Sequence, residues 1–149
     1  MISKESTVKK IQKEISSQKY DEAIKLIEHN KRDLVEIDYW YYLSLCSRYS
    51  KKYKEALVIL NNVIKIDPSY ARAYQEFGHN YFKLNNYKMS LKSYLRAVRY
   101  NPTLHASWLG ILGIKNVEQN IIDLATQNVL YLKNLPPELK SVSSFIYEG

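Results

Sequence analysis

The side chains that most often perform catalysis are few and scattered in this sequence. The three histidines, His29, His79 and His105, form neither an HExxH zinc motif nor a pair one helical turn apart. Cys46 is the single cysteine, which excludes an intramolecular disulfide and a cysteine-based zinc site and favours a buried core thiol. The glycine-rich loops that bind phosphates and the GxSxG turn of hydrolases are also missing. We therefore expect no catalytic residue, no metal site, no cofactor and no enzymatic activity in this chain.

The composition favours one helical domain. The chain has 149 residues, of which 46% are hydrophobic and 25% are charged, close to the averages of globular proteins. Four glycines and four prolines are too few for an all-β protein with many tight turns. No apolar run approaches the roughly 20 residues that span a membrane, and the N-terminus lacks the layout of a secretory signal. We expect a single domain over residues 1–149 in a cytoplasmic protein.

Two adjacent segments repeat one pattern at a spacing of 34 residues. The aligned pairs are Trp40 and Tyr74, Leu43 and Phe77, Ser44 and Gly78, Ala56 and Ser90, and Pro68 and Pro102. This is the pattern of the tetratricopeptide repeat (TPR), and residues 37–104 resemble that family. The resemblance implies an all-α solenoid in which each repeat is a pair of antiparallel helices, A and B, and neighbouring pairs stack on one another.

The flanking segments resemble degenerate copies of the same repeat. We predict repeats over residues 4–36, 37–70, 71–104 and 105–137, and a terminal capping helix over residues 138–149. The predicted helices cover residues 4–17, 20–30, 37–50, 54–66, 71–84, 87–100, 105–116, 120–134 and 137–147.

Two phases compete for helix A of the last repeat. Leu109, Leu112 and Gly113 fit the motif and agree with a helix B in which Ala125 follows Ser90 by 35 residues. A phase that starts at Trp108 also fits helix A but disturbs helix B. We expect the phase that starts at Leu109.

The TPR resemblance implies a binding groove lined by helix A. The positions that line the concave side in this family are Asp38, Tyr41, Leu45, Arg48 and Tyr49 in one repeat, and Arg72, Gln75, His79, Phe82 and Lys83 in the next. Aromatic anchors interleaved with cations suit an extended peptide or partner protein that carries acidic residues. The alternative for Leu45, Tyr49 and Phe82 is burial between helices.

The sequence excludes one narrower TPR function, the binding of chaperone C-termini. TPR co-chaperones that bind the C-terminal carboxylate of heat-shock chaperones use lysine, asparagine and arginine at five fixed positions. Those positions hold Tyr41, Leu45, Glu76, Ser107 and Ile111 in this chain. None matches, and a glutamate would repel a carboxylate.

The net charge of +7 is concentrated in one segment. Glu76 is the single acidic residue between residues 71 and 105. Four cations are spaced to lie along one face of a single helix, and we call them the basic stripe: Lys88, Lys92, Arg96 and Arg99. We expect this face on the convex side. Its interpretations are a solvated face, a docking surface for an acidic domain, or an anionic membrane contact. Nucleic acid is disfavoured because no aromatic residues interleave with the cations.

A second resemblance, from Tyr70 to Gly149, is to the N-terminal TPR arrays of bacterial proteins that continue into a sulfotransferase domain. It rests on Ala73–His79, Leu135–Leu139 and Phe145–Gly149. It implies a substrate-holding domain of a larger enzyme, whose sulfuryl-transfer site lies beyond this chain. A third hypothesis is an oligomerisation module, in which a second copy binds the apolar face of the last helix at Val142, Phe145 and Ile146.

Overall fold

The computed structural model describes residues 4–138, which form eight helices and no strand. They are α1 Lys4–Ser16, α2 Tyr20–His29, α3 Glu36–Tyr49, α4 Tyr53–Ile66, α5 Ala71–Lys83, α6 Tyr87–Tyr100, α7 His105–Leu112 and α8 Gln119–Lys133. The predicted all-α class is confirmed. The first six predicted helices and the eighth agree within one residue at each end. The predicted terminal helix falls almost entirely outside the described residues.

The helices pack as four consecutive pairs joined by short connections, so the partners in each pair run antiparallel. The chain divides into two compact units, Met1–Pro68 with α1–α4 and Ser69–Gly149 with α5–α8. The single domain over residues 1–149 stays a prediction.

The turn within each of the first three helix pairs has the same hydrogen-bonded geometry. Gln18, Lys51 and Asn85 have φ angles of 62°, 63° and 62°, in the left-handed region. After α3, the Lys52 N–H donates to the Ser47 carbonyl at 2.8 Å and the Lys51 N–H donates to the Arg48 carbonyl at 2.9 Å. This is a Schellman motif, which caps the last carbonyls of helix A and reverses the chain. No glycine marks these turns in the sequence.

Small residues at the helix B positions bring the helices of the first unit together. Ala23 of α2 and Ala56 of α4 are fully buried, as are Ile11, Ile27 and Leu60. A side chain of one carbon lets the neighbouring helix approach closely, and the larger aliphatic residues fill the space beside it.

Polar contacts complete this unit. The Gln12 amide donates to the Tyr42 hydroxyl at 2.9 Å, which ties α1 to α3. The Tyr39 hydroxyl donates to the Glu28 carboxylate at 2.8 Å, which ties α3 to α2. Burial, the hydrogen bond and the charge of Glu28 together raise the pKa of Tyr39 to about 12, so the phenol stays protonated and keeps donating.

The second unit is organised around Tyr94 of α6. Its buried ring lies against Gly78 of α5 and Gly110 of α7. A Cβ atom on Gly78 would come 2.5 Å from the ring, and one on Gly110 would overlap the same ring. Ser90, one helical turn earlier on α6, donates its hydroxyl hydrogen to the Gly78 carbonyl at 2.8 Å. Close approach of α5, α6 and α7 therefore requires the two glycines.

The seventh helix differs from its prediction. It ends at Leu112 rather than residue 116, and Asn116 in the following connection has a φ of 60°. Trp108 and Ile111 are buried, whereas Leu109 and Leu112 are exposed. The phase predicted from Leu109, Leu112 and Gly113 is therefore wrong, and the one starting at Trp108 is correct for α7.

The prediction for α8 holds in spite of this change, because Ala125 is buried as expected. Helix α7 keeps the 34-residue spacing, since Trp108 follows Tyr74 by that interval. Ala125 follows Ser90 by 35 residues, one more than the repeat length, and the extra residue lies in the connection between α7 and α8. Helix α8 is therefore displaced by one position, whereas α7 is not.

Replacing Lys51 with glycine should stabilise the chain. A left-handed backbone costs an L-residue about 1 kcal/mol, and the gain from glycine is offset by its greater freedom when unfolded. We expect Lys51→Gly to raise the free energy of unfolding by about 0.5 kcal/mol in urea denaturation. Asn85→Gly is the matched comparison, with a smaller gain because asparagine tolerates this conformation. A loss of stability in Lys51→Gly would contradict the assigned turn.

Adding a methyl group at either glycine beside Tyr94 should destabilise the chain. Gly78→Ala and Gly110→Ala overpack a buried ring, and we expect each to lower the free energy of unfolding by about 1–3 kcal/mol. Gly113→Ala is the control, since a Cβ there would come no nearer than 3.4 Å to its neighbours. It should change stability by less than about 0.5 kcal/mol. Equal effects at the three positions would refute the packing of Tyr94.

Candidate partner-binding surfaces

The predicted groove residues of α3 are only partly accessible. Tyr41 is 2% exposed and Leu45 is buried, whereas Asp38 and Arg48 are half-buried and Tyr49 is 44% exposed. The expectation of an accessible Tyr41 is therefore wrong. Helix α3 packs against both α2 and α4, and the Tyr41 ring lies edge-on to that of Tyr42 at 5.4 Å. These contacts bury Tyr41, although its position lines the groove in the family.

At the C-terminal end of α3, the Tyr49 ring contacts a second ring and a guanidinium. The rings of Tyr20 and Tyr49 are parallel within 4°, with their centroids 5.5 Å apart. The guanidinium of Arg48 lies over the Tyr49 ring at 4.4 Å. We call Tyr20, Arg48 and Tyr49 the aromatic platform. Sequence reasoning missed Tyr20 as a surface residue, because it was read only as the start of helix B and its neighbour comes from another helix.

The predicted groove residues of α5 divide in a similar way. Gln75 is buried and accepts a hydrogen bond from the Ser107 hydroxyl at 2.7 Å, so it joins α5 to α7. Arg72, His79 and Phe82 are half-buried and Lys83 is exposed. The burial expected as an alternative for Phe82 is therefore partial.

Two of the half-buried residues of α5 also have internal contacts. The His79 Nδ1 atom lies 2.6 Å from the Tyr94 hydroxyl, which donates to it when His79 is neutral with its proton on Nε2. Phe82 packs edge-on against Tyr87 of α6 at 5.3 Å and borders the core of the second unit. Both side chains are thus held in place by neighbours within their own unit.

The five positions of the carboxylate-binding clamp are inaccessible to a ligand, in addition to holding the wrong residue types. Their five residues are all buried, with Glu76 at 2% exposure; they are Tyr41, Leu45, Glu76, Ser107 and Ile111. A chain terminus therefore has no access to them.

The basic stripe is exposed at each of its four residues. The guanidinium of Arg96 lies 5.1 Å from the centre of the Tyr74 ring. Within residues 4–138, none of the four cations has a carboxylate within 4 Å.

The described residues contain no group of three or more histidine, cysteine, aspartate or glutamate side chains placed to hold a metal ion. No helix among residues 4–138 combines the length and apolar character needed to cross a membrane. Cys46 is fully buried in the first unit, and burial raises the pKa of its thiol from 9.0 to about 12. A thiol in this state is a poor nucleophile.

Cys46 should resist alkylation in the folded protein. The raised pKa lowers the thiolate fraction at pH 8 by about 1000-fold, and burial blocks the reagent as well. We expect iodoacetamide to label the native chain at least about 100-fold more slowly than the urea-unfolded chain, as followed by mass spectrometry. Cys46→Ser provides the unlabelled background. Comparable rates in the two states would show that the thiol is accessible.

Comparison with known proteins matches one part of the chain to a known family. Residues 71–104 match the family model of the tetratricopeptide repeat. The chain is 26% identical over 111 residues to anaphase-promoting complex subunit 3 of Schizosaccharomyces pombe. The match covers 73% of this chain but only 17% of that protein, so the chain spans about a sixth of the length of this relative.

Solved structures with a similar fold include two MamA chains. The MamA RS-1 ArsTM double mutant is 19% identical, with a TM-score of 0.69 over 87% of this chain and 74% of its own. MamA 41-end from Desulfovibrio magneticus RS-1 is 20% identical, with a TM-score of 0.65 over 88% and 76%. At this identity the likeness concerns the fold alone. Residues 71–104 thus match one tetratricopeptide repeat, and the paired helices share their fold with the two MamA chains.

Proposed function

We propose that this chain is a binding scaffold that holds an extended peptide with acidic residues, and that the aromatic platform of the first unit is a principal contact. The TPR family supports the general role in protein–protein interaction. The observation that carries the specific proposal is the stack of Tyr20, Tyr49 and Arg48, which joins aromatic surface to a cation on accessible positions.

The stack is suited to peptide binding because its side chains lose little conformational freedom when a partner binds. A tyrosine ring has few rotatable bonds and a large contact area, so aromatic anchors dominate many interfaces. Tyr49 already contacts both Tyr20 and Arg48, which lowers the entropy cost of binding. Arg48 has five N–H donors in one plane, and a guanidinium that lies flat on a ring directs donors sideways towards a carboxylate.

The second unit offers a comparable set on α5. Arg72 and Lys83 supply cations and Phe82 supplies aromatic surface, all at partly or fully exposed positions. The role of α5 in binding stays a prediction, as does that of Asp38 and His79. Tyr41, Leu45 and Gln75 are left out of the proposed surface because they are buried.

The other two hypotheses also stay predictions. A sulfotransferase partner domain concerns sequence beyond this chain, and the apolar face at Val142, Phe145 and Ile146 falls outside the described residues. The cytoplasmic location stays a prediction as well.

Loss of the platform should weaken peptide binding. Peptides selected from a displayed random library on the wild-type chain provide the probe, and fluorescence anisotropy measures their affinity. Tyr49→Ala removes the central ring of the stack, and we expect it to raise the Kd by about tenfold or more. Arg48→Ala should raise it mainly for peptides that contain aspartate or glutamate.

Two variants separate this effect from a general loss of surface. Tyr49→Phe retains the ring, and Arg32→Ala removes an exposed cation elsewhere in the same unit. Both should keep the Kd within about twofold of wild type. If Tyr49→Ala binds the selected peptides as tightly as these controls do, the platform is not the binding surface.

A further inference from the structure

The basic stripe of α6 is a row of charge that its own surroundings do not neutralise. Lys88, Lys92, Arg96 and Arg99 are all exposed, and none has a carboxylate within 4 Å among the described residues. Glu76 is the single acidic residue between residues 69 and 104, and its side chain is buried. The potential along this face is therefore strongly positive.

Arg99 lies in the last turn of α6, where the helix dipole favours a cation, but the rest of the stripe does not stabilise the helix. Lys88 lies in the first turn of α6, where the helix dipole disfavours a cation, and that turn has no acidic residue. The first turns of α2, α3 and α4 contain acidic residues, whereas those of α5, α7 and α8, like that of α6, do not. Lys88 with Lys92, and Lys92 with Arg96, are like charges one turn apart, which also costs stability. These like-charge pairs therefore do not serve the stability of α6.

The repeat does not require the stripe either. The corresponding positions are Lys54, Val58, Asn62 and Lys65 in α4, and Asp123, Gln127, Tyr131 and Asn134 in α8. The inward positions of the same helices hold small buried residues throughout, namely Ala56, Ser90 and Ala125. The core pattern is thus repeated, whereas the row of four cations is particular to α6.

One member of the stripe is held in position by aromatic packing. The Arg96 guanidinium lies over the Tyr74 ring, and the Tyr74 ring contacts that of Tyr100 with centroids 5.6 Å apart. A guanidinium held on a ring face keeps its edge donors available for a carboxylate. This cation is therefore partly ordered before a ligand binds.

We propose that the basic stripe docks an acidic segment of a partner protein. The stripe rises about 16 Å along α6, which corresponds to about three turns of a helix with a glutamate or aspartate on each turn. A long polyanion such as duplex DNA needs a broader basic surface. Residues 105–138 of the same unit have two basic and three acidic residues, so the positive charge does not extend onto α7 and α8. This surface lies on a different helix from the groove positions and is independent of the proposed function.

A charge-reversal pair tests the assignment. The probe is a fluorescein-labelled helical peptide with glutamate at every fourth position, and anisotropy gives its Kd at about 0.05 M and about 0.2 M salt. Lys88→Glu/Lys92→Glu should raise the Kd by about tenfold or more and flatten its salt dependence. The variant should stay helical by circular dichroism, because a glutamate at position 88 suits the start of a helix.

The matched control is Lys54→Glu/Lys65→Glu, which makes the same change in net charge at exposed positions of α4 that correspond to Lys88 and Arg99. We expect its Kd to stay within about twofold of wild type. Equal weakening by both pairs would overturn the proposal, because net charge alone would then explain binding. Tighter, stripe-dependent binding of duplex DNA or phosphatidylserine vesicles would overturn the choice of a protein partner. An unchanged Kd in Arg48→Ala/Tyr49→Ala would show that the stripe acts apart from the platform.

Discussion

Close approach of three helices around one aromatic ring is the constraint on which the second unit depends. Tyr94 projects from α6 and meets α5 and α7 where each has a glycine, and its hydroxyl is satisfied by His79. The ring thus fills the space that the two glycines leave open, and its hydroxyl is hydrogen-bonded inside the unit. Ser90 and the Gln75–Ser107 hydrogen bond fix the same helices at neighbouring levels. In this interior, steric fit around Tyr94 sets the spacing of the three helices, and the hydrogen bonds set their orientation.

Much of this arrangement could be predicted from sequence because the information is local and periodic. Small residues 34 apart, such as Ala56 and Ser90, mark helix B, and the boundaries of most helices follow from them. The left-handed residues Gln18 and Lys51 could not be predicted, since neither residue type favours that conformation. The phase of α7 was misassigned because Leu109, Leu112 and Gly113 imitate the motif on an exposed face, while the buried face begins at Trp108.

The binding surface was less predictable than the fold, and the reason is tertiary. Family positions say which residues of helix A face one side, but not how far neighbouring helices cover that side. In α3, contacts with α2 and α4 bury Tyr41 and Leu45 and leave Arg48 and Tyr49 accessible. Tyr20 joins them from α2, a relation between two helices that no spacing along the chain encodes.

The contrast between inward and outward positions explains how one fold can serve different partners. One inward position in each of α4, α6 and α8 holds a small residue (Ala56, Ser90 and Ala125), because a larger group there would push helices apart. Their outward faces are under no such restriction and range from aliphatic to cationic to acidic. Like charges one turn apart at such a face cost the helix stability. We attribute the presence of the basic stripe on α6 to contact with another molecule, since α4 and α8 fold on the same plan without it.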